Sequence, residues 1–201
     1  MLRALSLMLL ALALSAGGAS AHSTGGAQEA YVAVEDDDLV VSVMLDTGEV
    51  SSRISVPRGP RHVAVGGDRR LVLVSSPPAG RVTVIDSFRH RVVGSFRGFG
   101  SPRGIEIVGH YAYVADAGRG EIVVLDLDVE SSTIVGRVRV GGRPHDVTVV
   151  AHVGLGAHGP DRRRLTVLDV SRPAAPKVSG TLRAGGACSA SQDDRARRTR
   201  T

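Results

Sequence analysis

Gly59-Pro60-Arg61-His62-Val63-Ala64-Val65 is the stretch that decides the fold, because it returns twice. It comes back as Ser101-Pro102-Arg103-Gly104-Ile105-Glu106-Ile107 and again as Arg143-Pro144-His145-Asp146-Val147-Thr148-Val149. The prolines stand at 60, 102 and 144, so each step is 42 residues. A second marker keeps nearly the same beat: apolar runs end in Asp at Asp46, Asp86, Asp126 and Asp169. Self-similarity at a period of about 40–45 residues marks stacked units of four strands, the blades of a β-propeller.

The texture between the markers agrees with this period. From Ala30 onward, short β-branched runs alternate with Gly, Pro, Asp and Ser, and no helical spacing of apolar residues occurs. The second repeat divides into strands at Arg61–Val65, Arg70–Ser75, Arg81–Asp86 and Arg91–Phe96. The third divides at Arg103–Val108, Tyr111–Asp116, Glu121–Asp126 and Thr133–Val140, and the fourth at Asp146–Val150, Val153–Ala157, Arg164–Val170 and Lys177–Arg183. The first has only Tyr31–Glu35, Leu39–Asp46 and Val50–Val56, with no Pro-Arg-His-like opening. The expected architecture is all-β: blades of four antiparallel strands, three complete and one partial, in an open or incomplete ring. The repeats span 30–58, 59–100, 101–142 and 143–186.

Both ends read differently. Arg3, the apolar run Leu5–Leu14 and the small residues Ala19-Ser20-Ala21 have the layout of a secretory signal peptide over residues 1–21, cut before His22. The run is too short for a spanning helix, which needs about 20 apolar residues. The expected location is therefore extracytoplasmic, with no membrane span. Residues 22–29 form a flexible lead-in. After Gly185-Gly186 the repeat pattern stops, and 187–201 is polar and Arg-rich, the composition of a disordered basic tail. The expectation is a propeller cut short by truncation or frameshift. The single Cys188 lies in that tail and cannot form an internal disulfide, so burial and strand pairing must hold the fold.

The formal charge of +5 exaggerates how basic the repeats are. Arg3 leaves with the signal, and the tail sets four arginines against Asp193 and Asp194. With no Trp, three Phe and three Tyr, the chain lacks a base-stacking surface, so no nucleic-acid partner is expected.

Tyr113-Val114-Ala115-Asp116, Val123-Val124-Leu125-Asp126 and Val138-Arg139-Val140-Gly141-Gly142-Arg143-Pro144-His145-Asp146-Val147 together resemble the YVTN-type (YncE-like) β-propeller repeat. Val82-Thr83-Val84-Ile85-Asp86 carries the same resemblance in the second repeat. It covers roughly residues 30–186. It implies a secreted or surface-associated propeller, a fold whose relatives include ligand-binding, adhesive and enzymatic proteins. Four repeats, one of them incomplete, fall below the usual count for the family.

In a propeller the first strand of each blade lines the central channel, and the turn before it opens on one rim. Aligned repeats place Arg61, Arg103 and His145 at one rim position and His62, Gly104 and Asp146 at the next. Arg and His donors converging from successive blades suit an anionic ligand. His62, His145 and Asp146 offer the N and O ligands that zinc takes, but no local ligand spacing supports a metal. The plain alternative is a solvated rim.

Glu106 stands out among the small residues Ala64 and Thr148 on its face, and an ion pair with Arg61 or Arg103 is expected. The four Asp at the strand ends read as turn-makers that bond their own backbone. Glu35-Asp36-Asp37-Asp38 reads as a solvated hairpin turn. No activated nucleophile and no cofactor motif is present. The expected role is a non-catalytic scaffold that binds a protein, polymer or small anionic ligand at its rim. Propeller enzymes, lactonase-like or cofactor-dependent, are the alternative, and a non-functional remnant is a third reading. Open blade edges would favour self-association.

Overall fold

The computed structural model describes residues 20–21, 29–67, 70–128, 133–150, 153–159 and 164–183. The expected signal core, most of the lead-in, the basic tail and Cys188 lie outside the described residues.

Among the described residues, sixteen strands form four separate four-stranded antiparallel sheets. The first comprises β1 (Ser20–Ala21), β2 (Glu29–Val34), β3 (Leu39–Met44) and β4 (Val50–Ser55). The second has β5 (His62–Val65), β6 (Leu71–Ser76), β7 (Arg81–Asp86) and β8 (Arg91–Arg97). The third has β9 (Pro102–Val108), β10 (Tyr111–Asp116), β11 (Glu121–Asp126) and β12 (Thr133–Arg139). The fourth has β13 (Arg143–Val150), β14 (Val153–Gly159), β15 (Arg164–Asp169) and β16 (Lys177–Arg183). Each sheet runs in chain order as a meander, so each repeat is one blade. The blades form an incomplete β-propeller.

The strands expected from the sequence match these within a residue or two at most ends. The first blade is the partial one. Its inner strand is the two-residue β1, which pairs Ser20 with Tyr31 and Ala21 with Ala30. Cutting before His22 would remove β1.

The core lies between blades rather than within them, because alternate residues of each strand face opposite neighbours. Tyr31, Val40 and Ile54 of the first blade meet Val63, Val72 and Ile85 of the second. Leu73, Val82 and Phe96 of the second blade meet Ile105, Val114 and Leu125 of the third. Tyr113, Ile122 and Val124 of the third meet Val147, Val149 and Leu168 of the fourth. In β6, Val72 and Val74 therefore face the first blade, while Leu73 between them faces the third. This is why the strands read as nearly continuous apolar runs.

Polar ties fix the blades at their ends. Asp38 Oδ1 accepts the Gly59 amide at 2.7 Å, joining the first hairpin to the linker of the next blade. At the opposite rim Tyr31 Oη donates to Ser87 O at 3.1 Å, and His90 Nε2 lies 3.0 Å from Glu29 Oε2. The turn-making aspartates behave as expected. Asp86 Oδ1 accepts the amides of Phe88 and Arg89, Asp126 Oδ1 that of Asp128, and Asp169 Oδ1 that of Ser171.

One core position is frustrated. Thr83 Oγ1 is buried without a hydrogen-bond partner, and the matching residue of β11 is Val123, which is fully buried. A hydroxyl buried without a partner costs about 1–3 kcal/mol, and valine keeps the shape. Thr83→Val is therefore expected to raise stability by about 1 kcal/mol. A denaturant midpoint that stays put or falls would show that the hydroxyl is satisfied.

Candidate functional site

The first strands β5, β9 and β13 lie side by side along the inner edge of the arc. The linkers that lead into them open on one rim. Both β9 and β13 carry an irregularity at their start. Pro102 pairs with Asp116 and Ile105 with Val114, while Pro144 pairs with His158 and Asp146 with Ala157. Each irregularity is a bulge that adds one residue to the inner strand and redirects its side chains. Arg103 and His145 sit within these bulges.

Arg103 Nη1 and His145 Nε2 lie 3.4 Å apart across the junction of the third and fourth blades. Arg61 Nη1 stands 3.7 Å from Glu35 Oε1, an exposed pair reaching from the second blade to the first. Burial, together with the charges of Arg61 and Arg143, holds the Arg103 guanidinium below its ordinary pKa, and Glu35 opposes the shift. The guanidinium groups of Arg61 and Arg143, from the blade entries on either side, therefore both act on Arg103. The aligned positions had pointed to Arg61, Arg103 and His145. Arg143 was missed because it stands on the other side of its proline, in the place of Gly59 and Ser101.

Below this rim is an open cavity of about 340 Å³ lined by all three inner strands, including His62, Glu106, Asp146 and Thr148. His62 Nε2 donates to Ile105 O at 3.1 Å, which fixes the ring against the next blade. Burial pushes the His62 imidazole down, opposed by Asp146 and by the Ile105 bond. Asp146 Oδ1 accepts its neighbouring Val147 amide at 2.9 Å. Gly104 lets the strands approach: a Cβ there would stand 2.8 Å from Asp146 Cα.

Glu106 does not make the expected ion pair. Arg61 turns to Glu35 and Arg103 to His145. The carboxylate faces the cavity instead, where burial and the charge of Asp146 push its pKa up.

His62 and Asp146 thus belong to the cavity, whereas Arg61, Arg103 and His145 belong to the rim above it. Among the described residues no group of three or more His, Cys, Asp or Glu is placed to hold a metal ion. Nor is any helix among them long and apolar enough to cross a membrane. Chemically, the rim can hold an anion through forked guanidinium donors. The cavity beneath offers two carboxylates, and the charge of Asp146 helps push the Glu106 pKa up.

A family model described as the LVIVD repeat matches residues 99–134 and 161–183. No curated protein matches the chain in sequence. Among solved structures, the chain is similar to Kuenenia stuttgartiensis hydrazine synthase at 21% identity and a TM-score of 0.70, over 77% of this chain and 46% of that one. A functionally unknown protein from Desulfotomaculum acetoxidans gives 10% identity and a TM-score of 0.71, over 84% and 56%. A candidate 6-phosphogluconolactonase from Bacteroides uniformis gives 14% identity and a TM-score of 0.68, over 82% and 55%. This chain thus spans about half the length of each, and the likeness concerns the fold.

Proposed function

We propose that this β-propeller repeat protein is an exported, non-catalytic binding scaffold whose rim takes an anionic group of a small molecule or polymer. The observation that carries the reading is Arg103 at the rim, 3.4 Å from His145 and within reach of the charges of Arg61 and Arg143. Like charges brought together cost free energy unless something compensates them. Glu35 offsets part of that repulsion. A carboxylate, sulfate or phosphate bridging the guanidinium groups would offset the rest. Export rests on the Arg3, Leu5–Leu14 and Ala19-Ser20-Ala21 layout. Affiliation with YVTN-type propellers rests on Tyr113-Val114-Ala115-Asp116 and the recurring Pro-Arg and Pro-His openings.

Dextran sulfate and inorganic sulfate are suitable probes, titrated calorimetrically into the full chain at low and moderate salt. Losing a charged hydrogen bond costs about 1.5–3 kcal/mol, so Arg103→Ala should weaken binding at least tenfold. Arg91→Ala, on an exposed outer strand of the second blade, should leave binding nearly unchanged. Equal losses in both variants would mean diffuse attraction to a basic surface. No binding of either probe would sink the reading.

One observation favours an enzyme as the second reading. Glu106, with its raised pKa, faces Asp146 and the neutral-leaning His62 in one cavity, a setting in which carboxyl groups serve as acids or bases. A hydrolytic activity lost in Glu106→Gln but kept in Arg103→Ala would favour it over the scaffold.

A further inference from the structure

The same strand positions are buried or uncovered according to whether another blade follows. In the second blade, Val82, Val84 and Phe96 face the third and are at most 6% exposed. The matching residues of the fourth blade are Leu165, Val167 and Leu182. Leu165 and Val167 are only half-buried, and Leu182 is 58% exposed. The first blade shows the converse on its outward face. Val72 and Val74 of the second blade are fully buried against the first, whereas Val32, at the place of Val74, is half-buried. Val43, at the place of the fully buried Ile85, is likewise half-buried, while Ala30 and Val41 on the same face are buried.

The outward faces of the first and fourth blades are therefore the two halves of one inter-blade junction, a junction the chain builds three times internally. Among the described residues, the charged side chain the register places on the first face is Arg53, opposite Val41. Arg137 holds the same place at a built junction of the third blade, paired with Glu121 at 3.4 Å, where the first blade has Leu39.

We propose that a second copy of this chain covers both faces, so that two arcs close one ring about a two-fold axis. The first blade of each copy docks on the fourth blade of the other. Two-fold closure satisfies both apolar faces with one repeated contact, whereas stacking in one direction would leave an end open. This inference is independent of what the rim binds.

Light scattering on the column-separated full chain tests it. One species at twice the 20.9 kDa chain mass is expected. Leu182→Glu, at an exposed site, should halve that mass while the β-type circular dichroism stays unchanged. Val43→Glu, on the other half of the junction, should do the same. Should Leu182→Glu fail to fold, Thr148→Arg probes the same face from an exposed position on β13. A wild-type monomer at tens of micromolar, a ladder of larger species, or a dimer that survives both Leu182→Glu and Val43→Glu would overturn the proposal.

Discussion

Asp116→Ala is expected to cost about 3 kcal/mol. The residue is fully buried at the end of β10. Its Oδ2 accepts the Gly100 amide at 2.8 Å, and its Oδ1 accepts the amides of Ser101 at 2.8 Å and Gly118 at 3.1 Å. One carboxylate thus ties the linker leaving the second blade to the hairpin of the third. Bonds to a charged acceptor are worth about 1.5–3 kcal/mol each, and they do not add fully when they share one group. Alanine would leave three amides without their acceptor and open a gap that backbone cannot fill. The corner is already tight, since a Cβ on Gly118 would lie 2.7 Å from the Ser101 nitrogen. For a domain of this size the loss corresponds to a melting temperature lower by roughly 6–12 °C. Asp126→Ala, which removes one bond in an exposed turn, is the control and should cost well under half as much. Equal effects of the two substitutions would mean that the corner contributes no more than an ordinary turn.

Gly104→Ala should cost about 2 kcal/mol, in the range of overpacked sites, and should disturb the cavity together with the fold. The clash is with the backbone of a neighbouring blade, at Asp146 Cα, and not only with a side chain that could swing away. Relief requires β13 to move off β9, which would widen the separation between Glu106 and Asp146. A double-mutant cycle with Asp146→Ala separates the two sources of strain. Truncating the aspartate should restore only part of the lost stability. Full restoration would show that the side chain alone is in the way, and that the inner strands have room to spare.

Much of the fold could be read without coordinates. Pro60, Pro102 and Pro144 set the period, and alternation such as Val63-Ala64-Val65 assigned the inner strands. Turn chemistry at Asp86, Asp126 and Asp169 marked where third strands stop. All of these signals are local: a strand shows its two faces in its own residues, and a turn shows its dihedral demands in its own Gly, Pro or Asp. The candidate site was legible only in part. Repeat alignment reached Arg61, Arg103 and His145, because equivalent positions in a repeat fall at equivalent places on the rim.

It placed Glu106 in an ion pair that does not form, and it passed over Arg143 and Asp116. Each of these depends on distances between blades. A bulge in β13 and the absence of a Cβ at Gly104 bring Asp146 beside Glu106. Arg143 joins the rim from the opposite side of its proline, and Asp116 reaches linker residues 15 and 16 positions earlier in the chain. Sequence by itself determined the blades, their order and their apolar faces, since those follow from local periodicity. Which charged groups meet was decided by tertiary structure alone, because the angle and approach of one blade to the next are set by packing between non-local surfaces.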